Sequence, residues 1–219
     1  MTDPVIGTVL ATLAKNEIER RGLETLRQVS GGALNEIAAI IGNEFRLIRF
    51  WQELRIPGRA GKMAEKAGYD PGVVPRKVLA PLIEGAILED ASDEDMCEKW
   101  AALLANASRL DPDSPVLPSF PRILGQLTPI EVAVLDDLDA RDEPEGDDWG
   151  HQKQTVARDV DVAAAAVNAV FDSLIGHGLV DREPSVLVHL GEMTLTDNAA
   201  VRISALGRRL VAACRPPTP

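Results

Sequence analysis

The sequence predicts a mainly α-helical protein, with an N-terminal helical bundle and a C-terminal winged-helix-like α+β unit carrying a small β-hairpin. Three observations lead there. Hydrophobic residues make up 45% of the 219 positions but aromatics only 4%, which describes an interior of packed Ala, Leu, Val and Ile. Apolar residues recur every three or four positions along most of the chain, the helical period. Only near the C-terminus does the order change, to helix, extended stretch, hairpin and helix. The three prolines of DPDSPVLP suggest a linker at 111–118 between a bundle at 1–110 and a second unit at 119–219.

Asp3-Pro4 is a helix start, an N-cap followed by proline at the first helical position. Val5, Ile6, Val9, Leu10 and Leu13 follow with helical spacing, and the pattern resumes in Leu23, Leu26 and Val29 until Gly31-Gly32 stops it. A second helix carries Leu34, Ile37, Ile41, Phe45, Ile48, Trp51 and Leu54, so the two form an antiparallel hairpin. Arg46 and Arg49, with Arg55, make a small basic stripe, read either as a solvated flank or as a patch for an acidic partner. Pro57-Gly58 is expected to end this helix. GKMAEKAGYDPG then gives a short helix and a turn. Val78, Leu79, Leu82, Ile83 and Ile87 define the next helix, which Pro81 should kink unless it lies in the first turn.

The stretch EGAILEDASDEDMCEKWAALLANAS, residues 84–108, is dense in carboxylates. Ordinary helix initiation accounts for part of them. Ser92 is the expected N-cap, and Asp93, Glu94 and Asp95 fill a first turn where negative charge favours the helix dipole. Met96, Trp100, Leu103, Leu104 and Ala107 then repeat at helical spacing. Glu84, Glu89 and Asp90 fall at the end of the preceding helix, where acids gain nothing from the dipole, and they are candidates for a partner contact. No D-x-D-x-D-G loop accompanies them, so no metal is expected.

Thr128-Pro129-Ile130-Glu131 combines an N-cap, proline at N1 and glutamate at N3, the signature of a capping box. DEPEGDDWG, residues 142–150, reads as an exposed acidic loop; its Asp147, Asp148 and Trp149 are further candidate contacts. A helix is expected over 160–177, stopped by Gly178. GLVD opens an extended stretch, and VLVHL (186–190) and VRIS (201–204) are candidate strands. Ser204 can cap a closing helix containing Leu206, Leu210, Val211 and Cys214.

In a winged helix, the helix before the Gly-Leu-Val strand enters the DNA major groove. Here it offers Asp161, Asn168, Asp172, Ser173 and His177, without the Lys or Arg that phosphate and guanine require. Charge runs the same way. Residues 1–83 carry twelve Lys and Arg against nine Asp and Glu, whereas residues 84–219 carry eleven against twenty-five, for a net −11 over the chain. Nucleic acid is therefore disfavoured, although a DNA-binding regulator remains the second reading.

Enzymatic chemistry is not expected. His151, His177 and His189 lie far apart, Cys97 and Cys214 form no CxxC, and no G-x-S-x-G, P-loop or dinucleotide fingerprint occurs. No cofactor is implied. No apolar run reaches the length of about 20 residues that spans a bilayer, and the N-terminus has no signal-peptide pattern, so a cytoplasmic location is expected and stable membrane insertion is not.

The segments VPRKVLAPLIEGAILED, EKWAALLANAS, LPSFPRILGQLTPIEVAVLDDL and LGRRLVAAC together resemble the abortive infection alpha family of bacterial proteins. The likeness is strongest over residues 70–140 and weaker at the C-terminus. It implies a role in phage defence and brings no catalytic residue set. It also implies that Trp100, Leu103, Leu104, Phe120, Leu127 and Leu135 are buried together. The expected function is a non-enzymatic protein–protein interaction protein that meets a host or phage component, with homo-oligomerisation left open. Membrane-active and metal-dependent effectors are the further alternatives.

Overall fold

The computed structural model describes residues 17–31, 55–90, 92–109, 116–141, 150–183 and 200–219. The expected helices at 5–13 and 34–54, the acidic loop at 142–149 and the strand at 186–190 lie outside the described residues, as does most of the 111–118 linker. The described part is mainly helical, with a small three-stranded antiparallel sheet towards the C-terminus. The chain forms two compact units, Met1–Gln126 with Ala212–Pro219 and Leu127–Val211, so the division falls after Gln126 and the C-terminal segment returns to the first unit.

The first unit is built from α1 (Glu17–Val29), α2 (Arg55–Lys66), α3 (Arg76–Leu88), α4 (Glu94–Ala107) and the short α5 (Phe120–Leu124). α1 buries Leu23, Leu26 and Val29 against α2 and ends where expected, Gly31 taking the left-handed conformation. Pro57 and Gly58, expected to stop a helix, instead sit in the first turn of α2. Proline is tolerated there because the first N–H groups of a helix have no intrahelical acceptor.

α4 is the centre of this unit. Met96, Cys97, Trp100 and the whole run Ala101–Asn106 are buried, and α2 and α3 both pack on it. Its N-cap is Asp93, which accepts from the Met96 N–H at 2.9 Å, one residue later than the expected Ser92. Ser92 is engaged elsewhere: its N–H and hydroxyl both donate to the Asp90 carboxylate, leaving the following aspartate to cap. In α3, Pro81 falls inside the helix, past the first turn, so the Lys77 carbonyl lacks its usual i+4 donor.

The second unit contains α6 (Pro129–Ala140), β1 (His151–Gln152), α7 (Lys153–Asp159), a 3-10 turn (Ala164–Ala166), α8 (Val167–Gly176), β2 (Val180–Arg182) and β3 (Ala200–Ile203); α9 (Ala205–Ala213) closes the chain's helices. β3 lies between β1 and β2 and pairs antiparallel with both, with His151 opposite Val201 and Val180 opposite Ile203. The capping box of α6 forms as read from the sequence, Thr128 and Glu131 exchanging bonds. The single helix expected over 160–177 is corrected. α7 ends at Asp159, Asp161 turns the chain with φ 56°, and helix resumes only at Ala164–Ala166 and α8. An apolar-rich stretch masks such a break, because aspartate, unlike most residues, tolerates the left-handed region. Gly178 closes α8 with φ 70°, and Ser204 Oγ accepts from the Gly207 N–H at the start of α9.

All six positions of the resemblance are buried. Trp100, Leu103, Leu104 and Phe120 lie in the first unit, Leu127 and Leu135 in the second.

Candidate interaction surface

The sequence of α2, RIPGRAGKMAEK, sets cations at 55, 59, 62 and 66, spaced by four, three and four residues. At 100° per residue they fall within an arc of about 60°, and at 1.5 Å per residue they run for about 16 Å. The opposite side holds Ile56, Pro57, Ala60 and Ala64, all buried, and buried Gly58 flanks the row. The small residues Gly58, Ala60 and Ala64 let α1 and α4 pack close on α2, and a Cβ on Gly61 would stand inside van der Waals distance of Thr25 Oγ1 of α1. The fold therefore anchors α2 by its apolar side and turns a row of positive charge outward. Arg55, Lys62 and Lys66 are exposed and Arg59 is half-buried.

One carboxylate enters the row from a neighbouring element. Glu94, in the first turn of α4, accepts a hydrogen bond from Arg59 and lies 3.8 Å from Arg55 Nη1. The hydrogen bond and charge of Arg59 hold its carboxyl below the ordinary range, and Arg55 adds to this. Among the described residues, Lys62 and Lys66 have no acidic partner. Glu65, between them in sequence, pairs instead with Arg21 of α1 at 2.7 Å.

Of the residues singled out from sequence, Arg55 is placed in this row. Arg46 and Arg49 lie outside the described residues, as do Asp147, Asp148 and Trp149. Glu84 is exposed on α3. Glu89 follows the last turn of α3 and accepts from Trp100 Nε1 at 3.1 Å. Asp90 accepts from Ser92 at 2.9 Å from its N–H and 2.8 Å from its hydroxyl. Two of these three candidate acids, Glu89 and Asp90, thus bond within the α3–α4 connection. Among the described residues no group of three or more His, Cys, Asp or Glu side chains is disposed to hold a metal ion.

Beside the cationic row, α1 and α2 border an open cleft of about 520 Å³ whose walls include Glu24, Gln28, Glu65, Tyr69 and Asp70. Tyr69 is fixed rather than free. Its hydroxyl donates to the Ala105 carbonyl at 2.8 Å and the Arg109 guanidinium stands 5.3 Å from its ring centroid. Burial raises its phenol above the ordinary value, offset in part by Ser108 and Arg109. Arg59, Lys62, Lys66 and Tyr69 are not singled out by local rules, because Pro57-Gly58 reads as a helix end. The four-three-four spacing of the cations was the available signal.

In the second unit Glu131 is a buried carboxylate, 5% exposed. Burial alone would raise its carboxyl. Hydrogen bonds from Ser173 and from the Thr128 N–H and hydroxyl, with the charge of His177, bring it below the ordinary range instead. Lys153 is buried as well, its ammonium 3.5 Å from Asn168 Oδ1 and 5.9 Å from the Phe171 ring centroid. Arg141 ties Asp137 of α6 to Asp159 of α7 at 2.6 and 2.7 Å. The exposed residues of α8 are Asn168, Ala169, Asp172 and Gly176, and this helix contains no Lys or Arg. Among the described residues no helix is long and apolar enough to cross a membrane.

No curated protein and no solved structure matches the chain. The family model for abortive infection alpha does, over residues 52–214, which takes in every element from α2 to α9 and extends well beyond the segments that carried the resemblance. The chain belongs to the abortive infection alpha family, a membership that implies a role in phage defence.

Proposed function

We propose that this protein acts in phage defence as a non-enzymatic protein–protein interaction protein, working in the cytoplasm and meeting an acidic surface of a host or phage protein through the cationic edge of α2. The observation that carries this reading is the row Arg55, Arg59, Lys62 and Lys66, turned outward on a helix whose other side is packed into the core. A row with two cations lacking a partner among the described residues supports recognition of negative charge. Such a row contributes more to encounter rate and partner choice than to raw affinity. The segment with Asp147, Asp148 and Trp149 is proposed as a second contact on the strength of its sequence.

The test is charge reversal in the full chain, Lys62→Glu with Lys66→Glu, followed by cross-linking and affinity purification from infected and uninfected cells. The expected result is loss of a defined acidic partner together with loss of protection in a plaque assay, while the circular dichroism spectrum and melting temperature stay as in the parent. Protection and partner profile unchanged by the reversal would reject the assignment.

A second reading is that the Leu127–Val211 unit is a winged helix that binds DNA. The order helix, strand, helix, helix, strand, strand and the sheet order β1–β3–β2 support it. The composition of α8 weighs against groove binding, since nothing on that helix offers a cation to phosphate. A gel shift at low salt decides: no duplex retardation at micromolar protein ends this reading.

A further inference from the structure

We infer that Glu94 is a built-in competitor for the α2 edge, and that the partner docks there with a narrow carboxylate-rich segment that displaces Glu94 from between Arg55 and Arg59. This rests on the interaction reading above and names the chemistry of the partner.

Glu94 shows what the edge accepts. Its carboxylate is held by Arg59 with Arg55 at 3.8 Å, so the two guanidiniums already receive one carboxylate between them. The arrangement is open to exchange, because the Glu94 and Arg55 side chains are 60% and 58% exposed, and exposed ion pairs contribute little net free energy. An incoming segment gains more than it displaces. Beyond the reach of Glu94 the row continues through Lys62 and Lys66, one helical turn apart and without acidic partners among the described residues.

The borders of the row set the shape of the occupant. Glu65 lies on α2 itself, and Asp95 and Glu98 lie on α4, Glu98 one turn along from Glu94; all three are exposed. A broad polyanion such as a nucleic-acid duplex would press phosphates against these carboxylates. A single acidic strand or helix edge, with its negative groups in one line about 16 Å long, follows the cations and avoids them.

The experiment is fluorescence anisotropy on the full chain at low and moderate salt. The probes are a labelled helical peptide carrying Glu at positions i, i+4, i+7 and i+11, the same peptide with Gln, and a single-stranded oligonucleotide of equal charge. The Glu peptide is expected to bind in a salt-sensitive manner, about threefold tighter to the Glu94→Gln variant and about threefold or more weaker to the Lys62→Gln, Lys66→Gln variant, as exposed pairs of this kind allow. Should Glu94→Gln fail to fold, Glu94→Asp, too short to hold Arg59 in the same way, is expected to shift affinity in the same direction. Equal or weaker binding by the Glu94 variants, equal binding of the Gln peptide, or tighter binding of the oligonucleotide overturns the inference. A cellular partner lost on Lys62 and Lys66 reversal but indifferent to Glu94→Gln leaves the interaction reading standing and removes only the competition.

Discussion

The indole of Trp100 occupies the space that a side chain on Gly85 would need. A Cβ placed on Gly85 would stand 2.8 Å from Trp100 Cζ2 and nearer still to Cη2, while the indole Nε1 donates to Glu89 one turn further along. α3 and α4 are joined at this point by a missing side chain and a large one.

Replacing Gly85 by alanine therefore sets two effects against each other. Alanine gains about 1 kcal/mol of helix propensity over glycine. Overpacking against a fully buried ring costs about 1 to 3 kcal/mol. The contact should win, giving a net loss of up to about 2 kcal/mol in urea denaturation. Combining Gly85→Ala with Trp100→Phe should recover part of it, since the phenyl ring leaves room where the larger ring stood. A Gly85→Ala protein more stable than the parent would show that the ring moves aside freely.

Asn106, in the same helix as Trp100, donates from one amide nitrogen to the carbonyls of Ala213 and Arg215 at 2.9 and 2.8 Å. These bonds hold the C-terminal segment to the first unit. Asn106→Asp exchanges a donor for an acceptor facing two acceptors, and leaving buried groups unpaired costs about 1 to 3 kcal/mol. Hydrogen exchange and limited proteolysis should show residues 212–219 released first, with Asn106→Asp more affected than Asn106→Ala.

Glu131 links stability to acid. Its folded carboxyl sits below the ordinary value, so between the two values the unfolded chain binds the proton more readily. Stability from this group is complete above the unfolded value, about pH 4.3, and fades as pH falls through the lower folded value. Glu131→Gln should lower stability at neutral pH and flatten the acid limb of the profile below about pH 4.3. An acid limb of unchanged slope would assign that limb to other carboxylates.

Thr128 is the other half of the capping box. Thr128→Ala removes the acceptor for the Glu131 N–H and a donor to its carboxylate, and should cost about 1 kcal/mol. Because the two residues share one network, the Thr128→Ala, Glu131→Gln double variant should lose less than the sum of the singles. Strict additivity in a double-mutant cycle would mean that the box is not a unit.

The second half of the fold's capping grammar was readable in advance: Thr128, Gly178 and Ser204 act where the residue types placed them, since caps and left-handed turns depend on a few neighbouring backbone groups. The burial of Trp100, Leu103 and Leu104 was readable too, because helical period and apolar type suffice to choose a buried face, whereas that of Phe120 was implied by the family resemblance. Ser92 and Pro57-Gly58 mark where local rules run out. Either Ser92 or Asp93 can cap a helix, and Asp90, engaging Ser92, selects Asp93. A proline followed by glycine can stop a helix or sit in its first turn, and here it sits in the first turn of α2, which packs on α1 and α4.

Taken alone, the order of residues determined the helical class and the acidic balance, which are properties of composition and short-range period, and it carried the motif segments on which the family resemblance rests. Which charges stand beside which was decided only by the tertiary structure. Glu94 meets Arg59 across 35 positions, and Asn106 meets Ala213 across 107. Contacts at such separations follow from how helices pack, and no local preference of the backbone encodes them. The candidate surface is for that reason a property of packing: a row of cations becomes an outward edge once α1 and α4 have closed on the small residues behind it.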